Sequence, residues 1–153
     1  MNAHHRRLPV AVAFATAVLA PRTSDANAPP GHYMIGSGAS AGTVYDTKSK
    51  LTWQQTAPTT TYDWADAKTY CSGLDLNGTG WRLPTLKELF SIVDRTQTLP
   101  PFIDTSAFPG TPSDRFRAAT LEDTTIASII DFSTGFVNGD DVTWAGDYVR
   151  CVR

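Results

Sequence analysis

The chain has 153 residues, of which 41% are hydrophobic and 18% charged, with a formal net charge of −2. That length is one domain's worth and can bury a single core. Four Trp, seven Phe and five Tyr supply packing bulk, which excludes a disordered or collagen-like chain. Thirteen basic against fifteen acidic residues leave no electrostatic footprint for nucleic acid.

His4, His5, Arg6 and Arg7 form a short positive stretch ahead of an almost wholly apolar run from Leu8 to Ala20. The run is too short to span a bilayer comfortably and fits the core of an export signal. Residues 1–28 therefore read as a signal peptide. Ala26-Asn27-Ala28 and Ser24-Asp25-Ala26 are the two candidate cleavage motifs, and an uncleaved anchor is the alternative. Processing would leave ten basic and fourteen acidic residues, a charge of about −4. The reading is a secreted protein, extracellular or periplasmic, with no membrane span in the mature chain. Two cysteines in an exported chain, Cys71 and Cys151, are most simply one disulfide; two free core thiols are the alternative. Closing a loop of that length is worth roughly 4–5 kcal/mol on a chain-entropy argument.

Residues 29–42, rich in Pro, Gly and Ser, read as a flexible lead-in that carries His32. Thr43–Asp46 and Leu51–Gln54 predict a hairpin, and a Thr-rich linker follows from Thr56 to Thr61. Trp64, Ala67, Cys71 and Leu74 recur at helical spacing, with Thr61 as the expected cap and Gly73 as the stop. Leu74–Trp81 is dense in turn formers. Thr85 and Glu88 form a capping box for a second helix running from Leu86 to about Val93. Four prolines break the stretch 96–114, so it reads as a functional loop or an ordered excursion. Strands are expected at 115–119 and 126–132, with a hairpin at 133–135 leading into Phe136-Val137. Asn138–Asp141 reads as a polar acidic loop, and Tyr148–Arg153 alternates like a closing strand. The sum is α+β, two helices packed on a small antiparallel sheet with a long loop region.

Three motif groups then agree: Gly42-Thr43-Val44-Tyr45-Asp46 with Leu51-Thr52-Trp53; Trp64-Ala65-Asp66-Ala67 with Tyr70-Cys71 and Gly80-Trp81-Arg82-Leu83-Pro84-Thr85-Leu86-Lys87-Glu88-Leu89; and Tyr148-Val149-Arg150-Cys151-Val152-Arg153. Together they resemble the Lcl C-terminal domain, a family named after the terminal module of a bacterial collagen-like adhesin, over roughly residues 42–153. The resemblance implies a C-type-lectin-like fold with the chain ends together, and a surface role in adhesion with glycan or glycosaminoglycan binding. Two departures stand out. Phe116-Arg117-Ala118-Ala119-Thr120 replaces a Trp-led strand, and Ala127–Phe132 lacks the family's Trp. The sequence holds no collagen-like triplets, so the trimer that such a stalk would support does not carry over from the resemblance, and the oligomeric state is left open.

No phosphate loop or nucleophile elbow is present, and His32, the one histidine left after processing and outside the apparent domain, argues against histidine catalysis. A hydrolase built on two carboxylates about 5–10 Å apart is the remaining enzymatic alternative. The candidate ligand site is Trp144 with Asn138, Asp140 and Asp141, whose ring and carboxylates would meet a sugar. Arg115 and Arg117 share one strand face and would meet an anionic group. No cofactor is expected; calcium is the one ion that Asp140, Asp141 and Asp147 would suit, while Asp75-x-Asn77-x-Thr79 reads as a turn. Trp81, Arg82, Pro84, Thr85 and Glu88 read as structural. The expectation is a non-enzymatic adhesion module that recognises a glycan or another surface ligand through 96–125 and 138–147. An extracellular protein-interaction or envelope structural domain is the alternative.

Overall fold

A computed structural model describes residues 28–153; the export signal read at 1–28 lies outside the described residues but for Ala28. The fold is α+β, with two helices and two three-stranded antiparallel sheets rather than the single sheet expected. In the first sheet β1 (Tyr33–Ile35) pairs with β2 (Thr43–Asp46), which pairs with β3 (Thr52–Gln54). β1 lies inside the stretch read as a flexible lead-in. Its register against β2 brings His32 Nε2 to 3.1 Å from Asp46 Oδ1 and stacks the imidazole on Tyr33. Thr47 closes the same edge by donating from its hydroxyl to the His32 carbonyl.

Helix α1 (Trp64–Gly73) is capped by Asp63, not Thr61, because the Asp63 carboxylate accepts the Asp66 N–H at 2.8 Å. Tyr62 is held extended by a bridge to Asp147, so the helix cannot start earlier. The short helix α2 (Leu86–Phe90) carries the predicted capping box, with Thr85 and Glu88 bonding reciprocally. It stops short of the expected Val93 because Ser91 turns its hydroxyl and its N–H back onto the Glu88 carbonyl. Tighter turns still deliver Ile92 to the core.

The second sheet is β4 (Arg115–Leu121), β5 (Ile126–Asp131) and β6 (Phe136–Asp141), in that order. β5 lies between two strands and buries Ala127 to Ile130 in an unbroken run, as a strand covered on both faces should. β6 takes in Asn138–Asp141, which read as a loop: Ser128 faces Gly139 and Ile126 faces Asp141 across the ladder. Asn, Gly and Asp are poor strand formers, and the pairing to β5 overrides them. The result is an exposed edge strand.

The last six residues tie the two sheets together. Tyr148 bridges Phe116 of β4 in parallel, and Val152 bridges both Trp53 and Arg82. The main core joins Trp53, Leu89, Ile103, Phe108, Phe116 and Phe132. Its contributions from Ile103 and Phe108 show that the proline-rich stretch is an ordered excursion packed under the sheets. A second cluster, around Ala67, Trp81, Leu83 and Val149, encloses the Cys71–Cys151 disulfide, whose Cα atoms are 5.4 Å apart. Arg150 is wholly buried, donating to the carbonyls of Gln54 and Gln55 and to the Thr111 hydroxyl. Burial pushes its guanidinium down to about 9.

Candidate ligand-binding site

The site begins with a crossing. The chain leaves β6 at Asp141, turns through Trp144, and returns along β4 at Asp147. Asp141 shapes this turn: its carboxylate accepts the Thr143 N–H and hydroxyl at 2.8 and 2.7 Å. These bonds hold the Asp141 carboxyl below the usual carboxylate range.

Beneath the turn lie Arg117 and Asp147, both fully buried and in direct ionic contact. Arg117 also donates to the main-chain oxygens of Asp141 at 3.1 Å and Trp144 at 2.8 Å. Its guanidinium therefore pins both ends of the turn. It does not reach the surface, so Arg117 is not presented to an anionic ligand as its strand position suggested. Asp147 is likewise removed from the surface cluster in which the sequence placed it. Burial pushes its carboxyl up, to about 6; Asp140 and Asp114 add to the rise, while Arg117 and Arg115 pull against it.

Arg115 does share a face with Arg117, as expected for positions two apart, and both converge on Asp147. Unlike Arg117 it reaches the surface, where Nη1 meets Asp140 Oδ2 at 2.6 Å. Its guanidinium carbon lies 5.7 Å from the centroid of the Trp144 ring. That distance fits a cation–π contact.

Trp144 is 51% exposed. Its indole is seated on Gly146: a Cβ there would fall 2.6 Å from Trp144 Cε2 and closer still to Nε1. Only a residue without a side chain allows this approach. Sequence reasoning passed over Gly146; the available signal was a glycine two residues from an aromatic in a turn outside any regular strand. Trp64 borders the site as well, its main-chain N–H donating to the Val142 carbonyl, with the Lys68 ammonium 3.3 Å from its ring centroid.

The structure thus brings together Trp144, Arg115, Asp140 and Asp141 at one end of the second sheet, on a plinth of Arg117 and Asp147. Asn138 is exposed further back along β6. Of the other ligand stretch, 96–125, residues 96–114 are largely committed to packing through Ile103, Ala107 and Phe108, and Arg115–Leu121 forms β4. Among the described residues no group of three or more His, Cys, Asp or Glu is arranged to hold a metal, so Asp140, Asp141 and Asp147 are not gathered as one. Asp75, Asn77 and Thr79 form a turn: Asp75 accepts the Gly78 N–H, and Asn77, at φ 58°, donates to the Ala41 carbonyl.

The residues read as structural take structural places. Trp81 is buried and donates from its indole to the carbonyls of Leu76 and Gly78. Arg82 grips Glu88 with two bonds of 2.8 and 2.6 Å.

Residues 42–153 match the family model of the Lcl C-terminal domain. No curated protein matches the chain.

Proposed function

The chain belongs to the Lcl C-terminal domain family, and from that premise we propose that it is an exported, non-enzymatic adhesion module of C-type-lectin-like fold. Its ligand is a glycan, held on the exposed ring of Trp144. The observation that carries this reading is the seat of that ring. A large aromatic face lies half in solvent, yet its backbone is pinned by a buried arginine and its edge rests on a glycine. An aromatic platform fixed in advance loses little freedom on binding. Asp140 and Asp141 stand beside it as acceptors for sugar hydroxyls. Export is supported by the disulfide, because such bonds persist in oxidising compartments. Among the described residues no helix is long and apolar enough to cross a membrane.

The test is a glycan array on the oxidised protein, run with calcium and with chelator. Trp144→Ala should abolish retention while changing stability by no more than about 0.5 kcal/mol, as for other surface positions. Gly146→Ala should also lose retention, because its new methyl displaces the indole. If Trp144→Ala lowers the thermal midpoint in step with binding, the ring is packing and the site is elsewhere.

A second reading has its own observation. The edge strands β1 and β6 expose Met34, Ile35, Phe136 and Val137, and unpaired edges bind extended chains. A blank array with specific capture of a surface protein would favour that reading.

A further inference from the structure

The reading of Trp144 as a sugar platform leaves open which sugars it takes. Resting on that reading, we infer that the Trp144 surface selects uncharged pyranoses and turns away sulfated or carboxylated ones.

Recognition of an anionic sugar requires a guanidinium or ammonium with donors to spare. Two arginines stand at this site, and both are committed; the Lys68 ammonium at its border lies over the Trp64 ring, 3.3 Å from the centroid. Arg117 is fully buried, its terminal nitrogens spent on Asp147, the Asp141 carbonyl and the Trp144 carbonyl. Arg115 reaches the surface but spans two carboxylates, with Nη1 at 2.6 Å from Asp140 and Nε at 3.4 Å from Asp147. Three carboxylates, Asp140, Asp141 and Asp147, face these two cations, which leaves one negative charge in excess.

The surroundings deepen that excess. The further charges acting on Asp147 and Asp141 are the carboxylates of Asp114 and Asp123. Glu122 lies over Gly139 of β6, where a Cβ would meet its Oε2 at 2.9 Å. A sulfate brought to the Trp144 ring would have to displace Asp140 from Arg115 and enter a field of like sign. The whole chain, at a net charge of −2, offers no long-range attraction to offset this.

An uncharged pyranose meets neither obstacle. Its C–H face lies on the exposed indole. Its hydroxyls donate to Asp140 and Asp141, whose carboxylate oxygens each accept more than one bond. Arg115 then acts on the ring electronically and sterically, covering part of the indole while remaining neutralised by its own partners.

The experiment measures retention of the oxidised protein and its Trp144→Ala variant on immobilised polymers, and takes the Trp144-dependent part as the readout. Dextran, mannan and galactan are the uncharged probes; dextran sulfate, heparin and polygalacturonate are the anionic ones. The expected result is retention on at least one uncharged polymer, lost about thirtyfold or more on Trp144→Ala. That retention should change by less than about twofold between 0.05 and 0.5 M NaCl, since no ion pair forms with the ligand. Trp144→Phe, which keeps a smaller ring, should restore part of it. In the double variant Asp140→Asn/Asp141→Asn, Arg115 is released and Trp144-dependent retention on dextran sulfate should appear.

Trp144-dependent retention confined to the anionic polymers, falling steeply with salt, would overturn the inference and leave the glycan reading standing. Loss of every Trp144-dependent signal, with the protein folded, would overturn the glycan reading itself and the inference with it.

Discussion

Arg117 and Asp147 are both wholly buried, whereas Arg82 and Glu88 keep 47% and 23% of their side chains in solvent. The two pairs contain the same chemical groups, yet their carboxyls are displaced in opposite directions. Glu88 is pulled down to about 2, chiefly by its bonds from Arg82 and further by those from Thr85. Asp147 is pushed up to about 6 by burial. The difference lies in hydrogen bonding as much as in solvent. Glu88 accepts two bonds from Arg82 and others from the Thr85 N–H and hydroxyl. Neither Asp147 oxygen accepts a hydrogen bond of good geometry from a described residue, so only charge holds it. A surface pair with directed bonds stabilises its local element. A buried pair without them positions chain at the cost of desolvation.

The sharpest way to break the comparison is to remove half of the buried pair. Arg117→Ala strands the Asp147 carboxylate in the core and releases the Asp141 and Trp144 carbonyls, so it should destabilise the protein by about 3–5 kcal/mol. Replacing both partners by apolar residues, Arg117→Met with Asp147→Leu, should recover most of that loss. Chemical denaturation of the three proteins checks both statements. If the double variant is as unstable as the single one, the pair stabilises the fold outright. The double variant carries a second consequence: with the turn unpinned, the Trp144 platform should lose its ligand although stability has returned.

Half of the surface pair should matter less. Glu88→Ala removes the Arg82 contact and one arm of the capping box together, and a loss of about 1–2 kcal/mol is expected. Glu88→Gln keeps the cap and should cost less than the alanine variant. A loss from Glu88→Ala as large as that of Arg117→Ala would show that exposure does not separate the two pairs.

This contrast also marks what could be read from the sequence. The Thr85–Glu88 spacing is local, three residues within one chain turn, and it announced both the helix start and the role of Glu88 before any fold was known. The single disulfide followed from count and compartment. Arg117 and Asp147 carried no such signal, because thirty residues separate them and only the return of the chain beside β4 makes them partners. Read singly, each was a charged residue and so assigned to the surface. β6 was expected only at Phe136-Val137, and its continuation to Asp141 was hidden for a related reason. Asn138, Gly139 and Asp140 have loop character, and it is the buried apolar run of β5 that recruits them as an edge. β1 likewise depends on β2, since nothing in Tyr33-Met34-Ile35 distinguishes it from the Gly- and Ser-rich residues around it except its partner.

The smallest effect is also the most diagnostic, because the two pairs should respond to acid with opposite sign. Glu88 has a folded value near 2, below its ordinary 4.5. Its contribution is complete above the ordinary value and is lost as the pH falls through the folded one. Stability from this group therefore rises with pH between about 2 and 4.5. Asp147 has a folded value near 6, above its ordinary 3.8. In that window the folded chain binds more protons than the unfolded chain, so this group's contribution declines as the pH rises from about 4 to 6. Denaturation across pH 2–7 should show Glu88→Gln flattening the lower limb and Asp147→Asn removing the decline in the upper one. A variant that shifts stability by a constant at every pH would mean that its carboxyl titrates alike folded and unfolded. For Asp147 that result would mean Arg117 and Arg115 fully offset the burial of the carboxylate. The plinth under Trp144 would then be held as firmly by charge as α2 is by its cap.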